Sequence, residues 1–435
     1  MNRIRTIVLS LVLVLALALT ACGTPATEAP QAEPTDVPVE VEPTEAPEPT
    51  DAPEPTEAPT EEMAANLVIW ADDTRAPILE ALSADFEATY GVGIEVVLVG
   101  FGDIRANLAV QAPAGEGPDI LIGAHDWLGE LVTSGLLAPI DLAGLESQFT
   151  DASLAAFTYE GELYGMPYAV ENVAFVRNTD LVPEAPATWE EVRAITEELA
   201  ANGQGGFVMQ RGDAYHYFPV MTAFGGFVFE QNADGTYNPD VVGIDSEGSL
   251  AAAAFMEGMI ADGLMPGDLD WDTMHAQFEQ GAAAMFITGP WALDRLRASG
   301  VPYAISAIPA GDAGEGQPFL GVQGFMISAF SENQALAQAF LTEFIATQEV
   351  MEELQTAGGR PSAFIAAAAT IKDPDQLAFS EIGANGLPMP AIPQMSAVWG
   401  SWGDAITLMF NQEQPSADAF KNAAEQIRAT IAEGN

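Results

Sequence analysis

The sequence predicts an α/β protein whose folded part forms two lobes, and two observations support this prediction. Short apolar strand patterns alternate with helix patterns along the first hundred residues after position 65. Residues 65–435 carry nearly all of the apolar side chains, and this length exceeds what one hydrophobic core comfortably fills. We therefore expect two cores in one chain.

The first residues have the features of a lipoprotein signal peptide. Arg3 and Arg5 precede an apolar run, Ile7 to Leu19, that is too short for a spanning helix. The run ends in Leu-Thr-Ala-Cys-Gly, the bacterial lipobox, so we expect residues 1–21 to be removed and Cys22 to carry lipid. The alternative is an ordinary signal peptide with an incidental cysteine. Because Cys22 is the only cysteine, no internal disulfide or cysteine-based metal site is possible.

Residues 22–64 are predicted to be a disordered tether. After Cys22 this segment holds ten prolines and twelve acidic residues, with no lysine or arginine and no aromatic residue. Such a composition cannot bury enough apolar surface to offset its chain entropy. Proline favours an extended backbone and like charges repel, so we expect a stretched spacer.

The charge of the remaining chain excludes two classes of partner. Residues 65–435 contain 51 acidic and 11 basic side chains. Nucleic acids and anionic membrane surfaces are bound by clustered lysine and arginine, so neither is expected as a partner.

Strands and helices alternate regularly in the first part of the core. Periodicity predicts strand Leu67–Trp70, helix Pro77–Thr89, strand Ile94–Val99, helix Asp103–Gln111, strand Asp119–Ile122 and helix Trp127–Ser134. In a doubly wound sheet, ligands bind beyond the carboxyl ends of the strands. The loops Ala71–Ala76 and Gly123–Asp126 are therefore the expected ligand-facing segments.

The first of these loops excludes the common nucleotide cofactors. Residues 71–76 contain two carboxylates and no glycine. A phosphate site at this position would need backbone amides brought close by glycine. We therefore expect no cofactor.

The middle of the chain continues the same alternation. Thr188-Trp189-Glu190-Glu191 is a capping box, and it predicts a helix that ends at Asn202-Gly203. Further patterns predict helix Ser249–Asp262, helix Asp272–Gln280, strand Ala283–Thr288 and a helix start at Gly289-Pro290-Trp291.

Eight short motifs occur in an order and spacing that match a known family. They are residues 67–70 (Leu-Val-Ile-Trp), 117–120 (Gly-Pro-Asp-Ile), 124–126 (Ala-His-Asp), 134–138 (Ser-Gly-Leu-Leu-Ala), 167–171 (Pro-Tyr-Ala-Val-Glu), 188–191 (Thr-Trp-Glu-Glu), 289–292 (Gly-Pro-Trp-Ala) and 389–397 (Met-Pro-Ala-Ile-Pro-Gln-Met-Ser-Ala). The core resembles the maltose/maltodextrin-binding proteins, extracellular solute-binding proteins of ABC sugar importers. The resemblance covers nearly the whole core, from Leu67 to the C-terminal helices.

This resemblance implies a two-lobed periplasmic-binding-protein-like fold of type II. Each lobe would be a doubly wound sheet with flanking helices, with the ligand cleft between them. The N-terminal lobe would comprise residues 65–170 and 323–373, and the C-terminal lobe residues 174–318 and 374–435. It also implies a monomer, lipid-anchored at the outer face of the cell membrane, that binds maltodextrin by hinge closure and delivers it to permease subunits. No catalytic residue is implied.

The resemblance carries ligand-binding roles to particular positions. Sugar rings stack on aromatic planes, and their hydroxyls need fixed acceptors and donors. The matching positions are Asp126, Glu171, Tyr215, Trp291, Trp399 and Asp213. Arg75 falls where the family has a lysine beside an acidic residue, and either Asp73 or Asp72 could replace that acidic residue.

Structural roles for these residues are open alternatives. Asp126 could cap the helix that starts near Trp127, and Tyr215 or Trp291 could be core residues. Glu171 is harder to explain structurally, because a buried carboxylate without partners is costly.

Several positions depart from the family pattern. The family's tryptophan before Ala-His-Asp is Gly123 here and the arginine after it is Trp127, so an aromatic contact could come from Trp127 instead. Arg105 stands at a glutamate position and Gly400 at a tyrosine position; Trp402 either compensates or packs in the core. The length of the bound glucan and the preferred anomer therefore stay open, and cyclodextrin and trehalose are alternative ligands.

Other functions would make different demands on the same residues. A glycosidase using Asp126 and Glu171 would need two carboxyl groups flanking one bond at a set separation, which nothing in the sequence indicates. His125, His216 and His275 lack the spacing of a metal site, so no metal is expected. An oligopeptide or polyamine ligand, and a receptor that signals to a sensor, remain alternatives.

Overall fold

The computed structural model describes residues 66–233 and 235–434. The predicted signal peptide (1–21), the lipidation site Cys22 and the tether (22–64) lie outside the described residues. The lobe boundaries given above stay predictions.

The strands in chain order are β1 (Asn66–Ala71), β2 (Gly93–Leu98), β3 (Ile120–Ala124), β4 (Leu137–Ala138), β5 (Thr158–Tyr159), β6 (Glu162–Leu163), β7 (Gly165–Glu171), β8 (Ala174–Asn178), β9 (Gly205–Val208), β10 (Phe229–Gln231), β11 (Tyr237–Val242), β12 (Ala283–Thr288), β13 (Tyr303–Ser306), β14 (Ile308–Gly311), β15 (Gly314–Gly316), β16 (Phe319–Ser328) and β17 (Leu387–Pro388).

The α-helices are α1 (Ala76–Tyr90), α2 (Phe101–Gln111), α3 (Leu128–Thr133), α4 (Asp151–Ala156), α5 (Trp189–Ala201), α6 (Ala214–Ala223), α7 (Glu247–Ala261), α8 (Trp271–Glu279), α9 (Leu293–Ser299), α10 (Gln334–Ala339), α11 (Gln348–Gly358), α12 (Ile365–Ala368), α13 (Pro374–Gly383), α14 (Ser396–Phe410) and α15 (Ser416–Gly434). Short 3₁₀ turns at His125–Trp127 and Pro290–Ala292 precede α3 and α9. None of the helices in this part of the chain is long and apolar enough to cross a bilayer.

The larger sheet contains the predicted first strands. Its main path runs β17-β16-β3-β1-β2, and β4 and β7 also pair with β16. Strand β1 lies parallel to β2 and β3, whereas β16 runs antiparallel to β3. The α/β prediction is confirmed, because parallel neighbours joined through α1 and α2 are the arrangement that the alternating pattern requires.

Helix α1 shows why the predicted helices form where they do. Leu79, Leu82 and Phe86 are buried on one face, at the spacing of a helix that packs on a sheet. Pro77 lies in the first turn, where its missing N–H leaves no bond unmade. The helix ends at Gly91, whose φ of 69° closes the last turn through a bond to the Glu87 carbonyl.

The second sheet contains four strands in the order β13-β8-β12-β9. Strand β12 is parallel to β9 and antiparallel to β8, so this sheet is mixed. Helix α5 begins as the capping box predicts, with the Thr188 hydroxyl accepting from the Glu191 amide at 3.1 Å. The Glu191 carboxylate accepts from the amide of Ala187, one residue before the cap.

The chain passes from the larger sheet to the second one directly after Glu171. Strand β7 ends at Glu171 and β8 begins at Ala174, so two residues connect the sheets at this point. The long strand β16 pairs with β7 beside this crossover, with Gly321 opposite Glu171. Glu171 therefore lies where the two sheets meet.

The prediction of a loop over Gly123–Asp126 is wrong for its first two residues. Strand β3 continues through Ala124, because Gly123 and Ala124 pair with Gly324 and Gln323 of β16. The next three residues form the 3₁₀ turn His125–Trp127. The pairing partner comes from a distant part of the chain, so local pattern could not reveal the extension.

His125 connects three segments of the chain. Its ring is 1 % exposed. Nδ1 accepts from the Val322 amide at 3.0 Å, so Nε2 carries the proton and donates to the Met389 carbonyl at 3.1 Å. Burial lowers the pKa of His125 to about 4, against the weaker opposing effect of these two bonds. The ring is therefore neutral in the folded protein at neutral pH.

We expect His125 to make the folded state sensitive to acid. Its folded pKa of about 4 lies below the unfolded value of 6.5. Its contribution is therefore complete above pH 6.5 and declines as pH falls toward 4, because only the unfolded chain takes up the proton. The stability advantage of the wild type over His125→Gln should shrink by roughly 3 kcal/mol across this window, at about 1.4 kcal/mol per pKa unit.

Urea unfolding of both proteins at several pH values measures this difference. Comparison with the variant removes the contributions of His275 and of the carboxyl groups, which both proteins share. A constant difference between the two free energies of unfolding across the window would contradict the assignment.

Candidate ligand cleft

Asp126 lies at the carboxyl end of β3 and contacts a residue from the other end of the chain. It is 4 % exposed, and its Oδ2 accepts a hydrogen bond from Trp399 Nε1 at 3.0 Å. No side-chain bond from Asp126 caps the following helix, so the capping interpretation is wrong. The carboxylate bonds to Trp399 on α14 and not to the amides of the helix that follows it.

The environment of Asp126 changes its acidity. Burial raises the pKa of its carboxyl group to about 6, while the nearby Arg105 and the bond from Trp399 act in the opposite direction. Arg105 itself is paired with Glu130 at 3.1 Å. Asp126 is thus a buried acceptor that still ionises near neutral pH.

Glu171 is surrounded by donors of the protein. Its Oε1 accepts from Gln323 Nε2 at 2.6 Å and its Oε2 from Arg360 Nε at 2.7 Å. A second guanidinium, Arg75, lies 3.8 Å from Oε2. The side chain is 7 % exposed, and these partners explain how a carboxylate persists there.

Arg75 pairs with Asp72, which answers the question left open by the sequence. Asp72 and Arg75 are both 5 % exposed and form an ion pair, whereas Asp73 is exposed. Burial raises the pKa of Asp72, but Arg75 and Arg360 outweigh it, so the pKa lies below its usual value. Arg75 Nε also donates to the Tyr168 hydroxyl. We call Asp72, Arg75, Glu171 and Arg360 the buried charge cluster.

Arg360 was missed by the sequence analysis. It is 3 % exposed, and besides Glu171 it donates to the Thr74 hydroxyl at 3.2 Å and the Gly358 carbonyl at 3.0 Å. One signal was available, because Arg360 is one of few basic residues in a very acidic chain and follows Gly358-Gly359. Nothing in the sequence, however, indicated its partner 189 residues away.

Aromatic side chains form a continuous wall beside these charges. The Tyr215 ring lies 6.1 Å from Trp291 and 6.0 Å from Phe319, and Phe319 lies 6.0 Å from Trp399. Tyr215, Trp291 and Trp399 are all partly exposed. The structure therefore brings the three predicted aromatic residues together, with Phe319 as an additional member that the sequence analysis missed. Its strand, β16, was not among the predicted elements.

The Tyr215 hydroxyl is a polar group without a partner. It is buried and makes no hydrogen bond to any part of the chain that the structure describes. Burial, followed by the charges of Glu171, Asp126 and Asp213, raises the pKa of Tyr215 well above its usual value. The phenol therefore keeps its proton and remains a hydrogen-bond donor.

Asp213 has a structural role in this structure. Its Oδ1 accepts from the His216 amide at 2.9 Å and caps α6, and its Oδ2 lies 3.0 Å from His216 Nδ1. Burial raises the pKa of Asp213, but His216 has the larger combined effect and keeps it below the usual value. Its partner His216 packs against the aromatic wall, with the two ring centroids of His216 and Trp291 5.7 Å apart.

Trp127 occupies the space in front of Gly123. A Cβ atom on Gly123 would lie 2.3 Å from the Trp127 ring, so the two positions share one site. The ring also packs on Phe101 at 4.9 Å, and the Arg75 guanidinium lies 5.1 Å from the same Phe101 ring. Trp127 thus fills the place that a side chain at position 123 would take.

Trp402 packs in the core and does not reach the cleft. It is fully buried and lies 6.2 Å from Tyr217 and 6.4 Å from Phe218. Gly400 is exposed and has open space around it. Of the two possibilities for Trp402, the structure shows core packing.

The three histidines bind protein partners. His275 bonds the Trp271 carbonyl and the Thr288 hydroxyl, and His216 lies against Asp213. Within residues 66–233 and 235–434, no group of three or more His, Cys, Asp or Glu side chains could hold a metal ion.

The chain forms two main sheets with flanking helices, and it carries buried carboxylates beside an aromatic wall. This combination is typical of extracellular solute-binding proteins. The chain belongs to the bacterial extracellular solute-binding protein family, which it matches over residues 81–380. The family resemblance inferred from the motifs, and with it the two-lobed fold, is confirmed.

Curated relatives span most of the chain. It is 31 % identical to a galactooligosaccharide-binding protein of Bacillus subtilis (strain 168), over 84 % of this chain and 90 % of that protein. It is 28 % identical to a maltotriose-binding protein of Pyrococcus abyssi, over 79 % and 77 % respectively. It is 24 % identical to a maltooligosaccharide ABC transporter solute-binding lipoprotein of Streptococcus pneumoniae, over 84 % and 88 %.

We expect Arg360→Met to destabilise the protein strongly. The substitution leaves Glu171 buried with one guanidinium at 3.8 Å, and breaking a buried pair costs about 3–5 kcal/mol. The matched control is Arg193→Met, which removes pairs with Glu197 and Asp262 on the surface, worth less than about 1 kcal/mol. Urea unfolding measures both losses. Equal small losses in the two variants would show that the buried charge cluster does not stabilise the fold.

Proposed function

We propose that this protein is the sugar-capturing receptor of an ABC importer and that its ligand is an α-glucan such as maltodextrin. The aromatic wall beside Asp126 is the observation that carries the proposal. Apolar C–H faces of a sugar ring stack on aromatic planes, and sugar hydroxyls bond to a fixed carboxylate at the rim of the same ring. Names of the relatives that include maltotriose and maltooligosaccharide support this choice.

Each residue of the cleft has a proposed part. Trp291, Tyr215 and Trp399 provide surfaces for successive sugar rings, and Asp126 accepts from a sugar hydroxyl. Glu171, Arg75 and Asp213 already have protein partners, so their proposed contribution is to hold neighbouring groups in place. The proposed part of Trp127 is to shape the site by filling the space beside Gly123.

Hinge closure is the proposed consequence of binding. Asp126 follows a strand of the larger sheet, whereas Trp291 follows a strand of the second sheet. A sugar that touches both favours the arrangement in which they are close, and so shifts the equilibrium between open and closed states. The sugar hydroxyl would replace the Trp399 indole as the donor to Asp126.

A galactooligosaccharide is the second candidate ligand. The relative that binds it is 31 % identical over 90 % of its own length. The Trp127 ring fills the space that a side chain at position 123 would take. This difference from the family pattern would change which orientation of a sugar hydroxyl the site accepts. The same titration that tests maltotriose separates the two candidates.

Binding without catalysis is part of the proposal. A glycosidase needs one carboxylate free to attack or to activate water, and another to protonate the leaving oxygen. Glu171 Oε1 accepts from Gln323 and Glu171 Oε2 from Arg360. The Asp126 carboxylate accepts from Trp399. These contacts favour a scaffold for recognition.

The proposed location follows from the N-terminal sequence. The lipobox at Cys22 and the acidic tether would attach the folded part to the outer face of the cell membrane. A relative named as a solute-binding lipoprotein supports this anchor, and permease subunits of the importer are the proposed partner. We further propose that the protein acts as a monomer.

Isothermal titration of the purified protein with maltose, maltotriose, a galactooligosaccharide, a cyclodextrin and trehalose tests the function. We expect saturable binding of maltotriose. Trp291→Ala and Trp399→Ala should each weaken it by about 1–3 kcal/mol, the range for a lost aromatic contact in a binding site.

The matched control for these variants is Trp271→Ala. Trp271 lies against His275 and Arg295, away from the aromatic wall, so this variant should bind sugar as the wild type does. Binding of the galactooligosaccharide alone would select the second candidate. If none of the five sugars binds, the proposed function is rejected.

The Asp126 carboxyl group should make sugar binding dependent on pH. Its pKa is about 6, and the ionised form is the better acceptor for a hydroxyl. We expect affinity to be constant well above pH 6 and to fall as the carboxylate is protonated below it. Titrations at a series of pH values measure this change, with Asp126→Asn as the reference. A pH dependence that persists in Asp126→Asn would assign the effect to another group.

A further inference from the structure

We propose that Gln323 is a ligand-binding residue that sets sugar specificity, by holding one sugar hydroxyl together with Tyr215. This inference rests on the proposed function and adds a contact to it. The hydroxyl donates to the Gln323 side-chain carbonyl and accepts from the Tyr215 phenol.

Glu171 fixes the orientation of the Gln323 amide. An ionised carboxylate can only accept hydrogen bonds, so the NH₂ group of Gln323 must face it. The Nε2 to Oε1 distance of 2.6 Å agrees with such a bond. The opposite amide orientation would place two acceptors against each other. The carbonyl oxygen, Oε1, is thereby directed away from Glu171.

Two buried polar atoms near Glu171 are left without partners. Gln323 Oε1 and the Tyr215 hydroxyl both lack a hydrogen bond within residues 66–233 and 235–434. Gln323 is 2 % exposed. Buried polar groups are nearly always bonded, because an unmade bond is costly, so each such atom points to a missing partner.

Gly321 provides space at this position. A Cβ atom on Gly321 would lie 3.4 Å from the Glu171 side chain and 3.4 Å from the Tyr215 hydroxyl oxygen. Gly321 and Gln323 are two residues apart on β16 and so project from the same face. The glycine therefore leaves room beside Glu171 for a ligand group that meets Gln323 and Tyr215.

The strand geometry and the chemistry agree on the type of group. The register between β16 and β7 shifts between Gln323 and Gly324, an irregularity that commonly redirects a side chain near a binding site. An amide oxygen can only accept, whereas a protonated phenol can donate. A group that donates to the amide oxygen and accepts from the phenol satisfies both atoms, and a sugar hydroxyl is such a group.

A double-mutant cycle tests the shared hydroxyl. Titration with maltotriose would compare the wild type, Gln323→Leu, Tyr215→Phe and the double variant. Each single variant should bind roughly 3- to 10-fold more weakly, as for the loss of one neutral hydrogen bond. The loss in the double variant should be smaller than the product of the single losses, because both residues serve one hydroxyl.

Gln355→Leu is the matched control. Gln355 is also a buried glutamine, but its amide donates to the Ala367 carbonyl and its oxygen accepts from the Ser362 amide. This variant should lower the thermal midpoint and leave the affinity for maltotriose unchanged.

Monodeoxy analogues of maltotriose distinguish contact from indirect effects. The wild type should reject one analogue, and Gln323→Leu should lose that discrimination. A loss that is equal for all analogues would mean that Gln323 acts only through the fold, and unchanged affinity in Gln323→Leu would also overturn the proposal. If the wild type binds none of the five sugars, the proposed function fails and this contact fails with it.

Discussion

The buried charge cluster is the constraint on which the cleft depends. Glu171 ends β7 at the crossover between the sheets, and it is held by Arg360 from a distant loop and by Gln323 from β16. Ions removed from water persist only when each finds a counter-charge and hydrogen bonds. Satisfying Glu171 therefore fixes the relative positions of β7, β16 and the segment at Gly358–Arg360, which together form the floor of the cleft.

The aromatic wall extends from this floor and joins distant parts of the chain. Phe319 opens β16 and contacts both Tyr215 on α6 and Trp399 on α14. The Trp399 indole then reaches Asp126 beside the larger sheet. Ring contacts therefore adjoin a carboxylate, a combination that suits a sugar with apolar faces and hydroxyl rims.

Some predictions succeeded because their cause is local. The capping box at Thr188 and the glycine that ends α1 follow from bonds within one turn of helix. The alternative in which Asp126 caps a helix is wrong for the opposite reason. Its partner, Trp399, is 273 residues away, and no local pattern distinguishes a carboxylate that caps from one that bonds across a cleft.

The sequence by itself determined the α/β class and the family, because periodicity and ordered motifs can be read from the order of residues along the chain. Only the tertiary structure decided that Asp72 pairs with Arg75, that Trp127 covers Gly123 and that Trp402 is core. It also revealed Arg360, Phe319 and Gln323. Arg360 and Gln323 reach Glu171 from 189 and 152 residues away, and the energy of any buried charge or ring depends on what surrounds it, which neighbouring residues in the sequence do not specify.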